Sequence, residues 1–265
     1  MNADVPDNSI LVVAHPDDEI LWFSSVLAGV DHLVLTYLGE LVNPDFGEQR
    51  KQVLADFPLQ DKMTCLELVS LGLSRPRNFL NPQFSSYGIE FTDDKDVEEK
   101  FKEHYRENSR LLRTKLAKVL AGYQHVFTHN PWGEYGHEEH VQVYRVIQEL
   151  QKDMGYHIWF SNYCSTRTVH LASLMVNACE VCTRATDRVI ARKLLEVYER
   201  TNTWTWYDNW EWPSQETFFK ESYSEAQSVS AGTLLPVNMV VMPPLPSKPN
   251  SSESRVRRLK RFLGI

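Results

Sequence analysis

Apolar positions along the chain fall into short dense runs separated by polar, turn-forming stretches. Residues 10–13 are continuously apolar and largely β-branched, the pattern of a strand buried on both faces. His15-Pro16-Asp17-Asp18-Glu19 follows at once, and residues 20–27 are again apolar at helical length, so the order reads strand, turn, helix. A second apolar run at 33–37, reached over a short connection containing Gly29, predicts a βαβ unit with a parallel strand pair. Residues 39–47 read as loop, residues 46–57 begin a helix that Pro58 interrupts, and residues 66–71 form a third strand. Residues 74–96, rich in Pro, Asn, Ser and Gly, predict a long irregular segment of the kind that often carries function.

The pattern then repeats. Residues 97–120 are rich in Glu, Lys, Arg and Leu with few breakers, a helix that delivers the chain to an apolar strand at 124–128. Asn130-Pro131-Trp132-Gly133-Glu134-Tyr135-Gly136 is a turn-rich loop, and residues 137–150 are helical, restoring the strand, loop, helix order of the N-terminus. A strand at 158–160 and a helix at 187–200 follow. Trp204, Trp206, Tyr207, Trp210 and Trp212 then crowd one short stretch. Pro243, Pro244, Pro246 and Pro249 predict an extended linker. The organisation expected is one α/β domain over residues 1–242, aromatic-rich from about 200, with a Pro-rich linker and basic tail over 243–265.

Composition narrows the class. A chain of 265 residues with 42% hydrophobic residues can bury a real core, which excludes disorder as its dominant state. No apolar run reaches bilayer length, and the start MNADVPDNSILVV lacks the charged and apolar regions of a secretory signal, so a cytoplasmic location is expected. Net charge is −7, which argues against a nucleic-acid partner. Residues 251–265 hold five basic residues against one acid, a local +4 that leaves −11 for the rest. Val256, Leu259, Phe262 and Leu263 recur there at helical spacing, which fits a peripheral membrane contact about as well as a solvated terminus. Cys65, Cys164, Cys179 and Cys182 are too few and irregular for a disulfide framework, and the lone Cys179–Cys182 pair reads as small buried side chains.

Two clusters could carry chemistry. Asp17, Asp18 and Glu19 would favour the start of a helix as caps, with Pro16 suited to its first turn. Capping does not require His15, however, and His15 and Asp18 are spaced to converge on one point as metal ligands. His137 and His140 repeat that spacing at the opening of another helix. A lone pair of that kind is ordinarily surface histidines. If both strands share one parallel sheet, both turns emerge on one edge, and His15, Asp18 and His140 can meet across a crevice. Three protein ligands with an open position suit a hydrolytic zinc site.

Ala14-His15-Pro16-Asp17-Asp18-Glu19 matches the AHPDDE signature of the LmbE-like, or PIG-L-like, zinc-dependent de-N-acetylases. Gly133-Glu134-Tyr135-Gly136-His137-Glu138-Glu139-His140 resembles their GxYGHPDH element, and Leu35-Thr36, Gly39-Glu40 and Arg50 extend the resemblance over roughly the first half of the chain. It implies a Rossmann-like three-layer fold with a mostly parallel sheet and the site at the carboxyl ends of the strands. It further implies one Zn²⁺ held by His15, Asp18 and His140, and Asp17 as general base. His137 and Tyr135 would stabilise the oxyanion, His137 would be a candidate to protonate the leaving amine, and Arg50 would bind substrate. The sequence departs from the family at Glu138-Glu139, where Pro-Asp is usual, so Glu139 would have to orient His137 with a longer reach. The helix after Arg50 lacks the usual acidic follow-up and meets Pro58 early.

Trp206 and Trp210 suit stacking on a sugar ring, while packing of the C-terminal half against the sheet explains the aromatic cluster as well. The resemblance therefore points to removal of acetyl from an N-acetylated amino sugar of GlcNAc type in a glycoconjugate or its precursor, lipid- or nucleotide-linked forms included. A zinc amidohydrolase on a non-sugar metabolite and a non-catalytic glycan-binding protein on the same fold are the alternatives.

Overall fold

The computed structural model describes residues 4–73, 82–91, 97–222 and 229–243. Most of the irregular segment expected at 74–96 lies outside these residues, as do the linker beyond Pro243 and the basic tail. The N-terminal unit is β1 (Ser9–Val13), α1 (Asp18–Trp22), α2 (Ser24–Leu27), β2 (His32–Glu40), α3 (Pro44–Ala55) and β3 (Met63–Ser70). A small hairpin of β4 (Phe84–Ser85) and β5 (Gly88–Ile89) precedes α4 (Glu99–Val119), β6 (His125–Thr128), α5 (Glu138–Met154) and β7 (His157–Ser161). The C-terminal elements are β8 (Tyr163–Ser165), α6 (Val169–Met175), β9 (Ala178–Ala185), α7 (Arg188–Arg200), β10 (Gln215–Glu221) and β11 (Asn238–Val240).

Seven strands form one sheet in the order β3-β2-β1-β6-β7-β10-β9. The first five run parallel, and β10 is antiparallel to both β7 and β9. This is a mostly parallel α/β sheet with helices on both faces, a Rossmann-like three-layer arrangement. Alternation along β1 shows why: Ile10 and Val12 pack on one face with Leu112, Leu116, Val141 and Ile147 of α4 and α5. Leu11 and Val13 point to the other face, toward Ile20, Val26, Leu194 and Tyr198 of α1, α2 and α7. All five β1 residues are buried, as a continuous apolar run requires.

Two features differ from the pattern-based expectation. The helix expected over 20–27 is broken at Phe23, whose backbone leaves helical geometry (φ −139°, ψ 16°). Phe23 stacks on Phe218 at 5.7 Å, and Glu216 of β10 accepts from the Ser25 N–H at 2.8 Å and the Ser24 hydroxyl at 3.0 Å. A buried carboxylate from a distant strand thus satisfies the start of α2, and tertiary packing overrides local periodicity. β9 and β10 carry half-polar alternation that the apolar-run criterion passes over. Cys179 and Cys182 both fall on β9, Cys182 buried, and all four thiols are free. No described helix is long and apolar enough to cross a membrane.

Candidate active site

Because β1 and β6 are adjacent and parallel, the turns after them open side by side at the carboxyl edge of the sheet. Asp17 occupies the left-handed region (φ 102°), which turns the chain so that Asp18 points back over His15. The Asp18 carboxylate is anchored on both oxygens: Oδ2 accepts from the His15 main-chain N–H at 2.7 Å and Oδ1 from the Trp22 indole at 3.0 Å. In the second turn Gly133 has φ 69°, and a Cβ there would stand 2.5 Å from the His137 carbonyl oxygen. Only glycine allows the chain to close so tightly.

The two turns bring His15, Asp18 and His140 together. His15 Nδ1 lies 3.3 Å from Asp18 Oδ2, and His140 Nε2 lies 3.3 Å from Asp18 Oδ1. His140 Nε2 is buried without a hydrogen-bond partner among the described residues. The remaining nitrogen of each histidine faces a carboxylate: His15 Nε2 is 2.8 Å from Glu139 and His140 Nδ1 is 2.7 Å from Glu134. A carboxylate on the far nitrogen fixes the tautomer and turns the near lone pair inward, the usual outer-shell arrangement of metal-binding histidines. Tetrahedral ligands about 2.0–2.1 Å from one centre are separated by roughly 3.3 Å, so the Asp18 carboxylate stands at ligand spacing from each of the two histidines.

Two overlapping groups of ligand atoms converge here, His15 with His137 and His140, and Asp18 with His129 and His140. Hydrogen bonding separates their members. His129 Nε2 accepts from the Ala14 N–H at 2.8 Å, and its Nδ1 faces Glu134 at 3.1 Å, so both nitrogens are engaged. His137 caps α5, its Nδ1 accepting from the Glu139 N–H at 3.2 Å, which leaves its proton on Nε2. Glu139 therefore does not orient His137 through its side chain, as the sequence suggested. That carboxylate goes to His15, the Ser70 hydroxyl and the Leu71 N–H.

The electrostatics separate the roles of the groups. Burial pushes the Asp17 carboxyl up to about 7, reinforced by the neighbouring Asp18 charge. Burial opposes the charged form of Asp18 too, but His140 and His129 hold it well below the usual carboxylate range. Glu134 is held at about 2 by His129 and His140 against its burial. Burial, together with the adjacent His140 and His15, keeps His137 well below the usual histidine range and hence neutral. Burial and the charges of Asp18 and Asp17 push the Tyr135 phenol up, so it remains a donor.

Tyr135 stands over the pocket with its ring 5.6 Å from His140 and 5.7 Å from His137. Trp206 packs 4.9 Å from Tyr135, while Trp210, 5.7 Å from Trp22, lines a cavity with Tyr163 and Tyr207; neither indole nitrogen has a hydrogen-bond partner among the described residues. Arg50 is 3% exposed, donates to the Leu38 carbonyl at 3.3 Å and covers the Phe46 ring at 4.4 Å. It also stands 3.7 Å from the Glu40 carboxylate, and its charge counters the rise of the Asp17 carboxyl. Sequence reasoning assigned no role to His129 or Glu134. A carboxylate inside a Gly-flanked turn, six residues before a candidate ligand, was the one signal available for Glu134.

The fold and site define an α/β protein with a histidine–carboxylate pocket at the carboxyl edge of a parallel sheet. The family model of PIG-L, GlcNAc-PI de-N-acetylase, matches residues 10–150, and the chain belongs to this family. No curated protein matches it. Among solved structures it is similar to a deacetylase–bog complex of the teicoplanin biosynthesis pathway (TM-score 0.49, 11% identity, covering 82% of this chain and 100% of that one). The zinc-inhibited form of teicoplanin deacetylase Orf2 gives TM-score 0.49 and 11% identity over 82% and 100% of the two chains. The A40926 pseudoaglycone deacetylase Dbv21 gives 0.44 and 10% over 80% and 96%.

Proposed function

We propose that this protein is a metal-dependent deacetylase that hydrolyses the acetamido group of a GlcNAc-type amino sugar in a glycoconjugate or its precursor. The observation that carries the reading is the convergence of His15 Nδ1, Asp18 and His140 Nε2, each histidine backed by a carboxylate, beside the buried carboxyl of Asp17. Family membership supports the sugar class. His15, Asp18 and His140 would hold one divalent ion, Zn²⁺ by donor type and spacing. That ion would supply Lewis acidity toward the amide carbonyl and the attacking water.

Asp17, with a carboxyl near 7, accepts a proton from the attacking water. Neutral His137, through Nε2–H, and the Tyr135 hydroxyl donate to the developing oxyanion, the role in which fixed donors contribute most. A neutral imidazole is a weak acid, so the proton held on Asp17 is the better source for the leaving nitrogen. Trp206 and Trp210 supply faces on which a sugar ring can stack, and Arg50 contributes its charge to substrate binding. Acetate release from N-acetylglucosamine and its nucleotide- and lipid-linked forms, measured with the zinc-loaded and chelated protein, tests the reading. Release that requires the metal is expected. Absence of release from every acetamido sugar, with release from a non-sugar amide, would move the activity to a general amidohydrolase.

A further inference from the structure

The Asp17 turn is held in part by residues that lie outside the matched family region. Asp17 is 3% exposed and its main-chain N–H points away from the pocket to a buried pair. The Tyr198 hydroxyl, from α7, accepts that N–H at 2.9 Å and donates its own proton to Glu19 Oε1 at 2.6 Å. Glu19 Oε2 also accepts from the Asp17 N–H, at 3.0 Å. Tyr198 and Glu19 have no exposed surface, so this interaction works in a dry setting where a fixed hydrogen bond holds geometry well. A non-glycine residue at φ 102° persists only where its surroundings over-determine it, and the Tyr198–Glu19 pair is such a constraint.

The carboxylate itself is held from the same side. The Thr205 hydroxyl donates to Asp17 Oδ2 at 2.5 Å, and no described residue donates to Oδ1. One oxygen is thereby fixed, and the other is left for the reacting proton. The same segment grips the following helix, where the Trp212 indole donates to the Ile20 carbonyl at 2.5 Å.

We propose that Thr205 and Tyr198 are positioning residues for Asp17, Thr205 fixing its carboxylate and Tyr198, with Glu19, fixing its left-handed main chain. This rests on Asp17 acting as the base. The C-terminal half of the chain then contributes to catalysis through the base and not only through the indole faces offered to the substrate.

The test compares Thr205→Val, Thr205→Ser, Tyr198→Phe and Asp17→Asn in the zinc-loaded full chain, with kcat and KM for acetate release and metal content measured for each. Thr205→Val is expected to lower kcat about 10-fold, the worth of one hydrogen bond to a charged group, with KM and metal content unchanged. Thr205→Ser, which keeps the donor, restores kcat, a rescue that loss of packing alone would not give. Tyr198→Phe lowers kcat in the same direction without raising KM. Unchanged kcat in both Thr205→Val and Tyr198→Phe, with Asp17→Asn inactive, overturns the positioning role and leaves Asp17 as base. Full activity of Asp17→Asn overturns the base assignment itself.

Discussion

The two turns that build the pocket have the same outline, strand to loop to helix, and are held in opposite ways. The turn after β6 is built largely from within. Glu134 bonds His129, His140 and the Asn130 N–H, while Asn130 in return accepts from the Glu134 N–H at 2.9 Å. The Ser161 hydroxyl at 2.6 Å and the Thr168 hydroxyl on the Glu134 carbonyl at 2.6 Å complete it from adjacent β7 and the β8–α6 loop. The turn after β1 adds to its local bonds at Asp18 and Glu19 a set from far along the chain, Glu139 on His15, Tyr198 and Thr205 on Asp17, and Trp212 on Ile20. In one turn the hydrogen bonds of Glu134 reach residues no more than 34 positions away. In the other, the proposed base and the proposed ligand His15 depend on residues more than 120 positions away.

The sharpest break in this comparison is loss of a ligand from the self-contained turn. His140→Ala is expected to strip the divalent ion, since a two-ligand remnant cannot compete with water for it. Elemental analysis after dialysis should show little metal, and a full complement would remove His140 from the ligand set. Next in size is Asp17→Asn, which keeps the metal and lowers kcat on the order of 10²–10⁴-fold, the usual size of a general-base contribution. Near-normal turnover with bound metal would place the base elsewhere.

How much of this was legible in the sequence follows the same division. β1, β6 and the helices after them carry dense apolar runs and contiguous polar signatures, so both turns could be read from local pattern, and their meeting at one sheet edge followed once the two strands shared a parallel sheet. Tyr198, Thr205 and Glu139 could not. Each acts across a long loop of chain, and a tyrosine on an amphipathic helix looks the same whether its hydroxyl meets solvent or Asp17. Glu134 was hidden for another reason. Its left-handed backbone (φ 49°) folds the side chain back under the histidines, which no helical spacing describes. β10 escaped notice because its first residues, Gln215, Glu216 and Thr217, are polar, and Glu216 and Thr217 become buried only through partners on α2, β8 and β9.

Smaller effects sharpen the contrast. Glu134→Gln should keep the fold and weaken metal binding about 10–100-fold, the usual cost of removing a carboxylate behind a ligating histidine. Competition with a chelator measures it, and unchanged affinity would show that His140 is oriented by packing alone. Affinity should also depend on pH through the other turn. Burial disfavours charge on His15, but Asp18 and Glu139 outweigh it and raise its pKa to about 9. At neutral pH the metal must therefore displace a proton from His15, so affinity rises with pH up to about 9, and titration calorimetry in buffers of different ionisation enthalpy should register that proton. No proton release at pH 7 would mean that His15 is already neutral.

The smallest expected effect lies at the outer grip on the first turn. Trp212 is 8% exposed, and its indole N–H is the donor from the C-terminal segment to the Ile20 carbonyl inside α1. Trp212→Phe keeps an aromatic ring in the same apolar surroundings and removes that donor, leaving a buried carbonyl short of a partner. The cost should be about 1–3 kcal/mol, read as a fall in Tm of roughly 2–4 °C per kcal/mol in a chain of this size. The removed bond lies one helical turn from Asp17 and touches neither its carboxylate nor its N–H, so kcat measured well below the transition should fall less than in Thr205→Val. If Trp212→Phe instead lowers kcat as far as Thr205→Val does at unchanged Tm, the grip on α1 and the grip on Asp17 are one cooperative unit. The first turn would then be positioned by docking of the whole segment and not by individual hydrogen bonds.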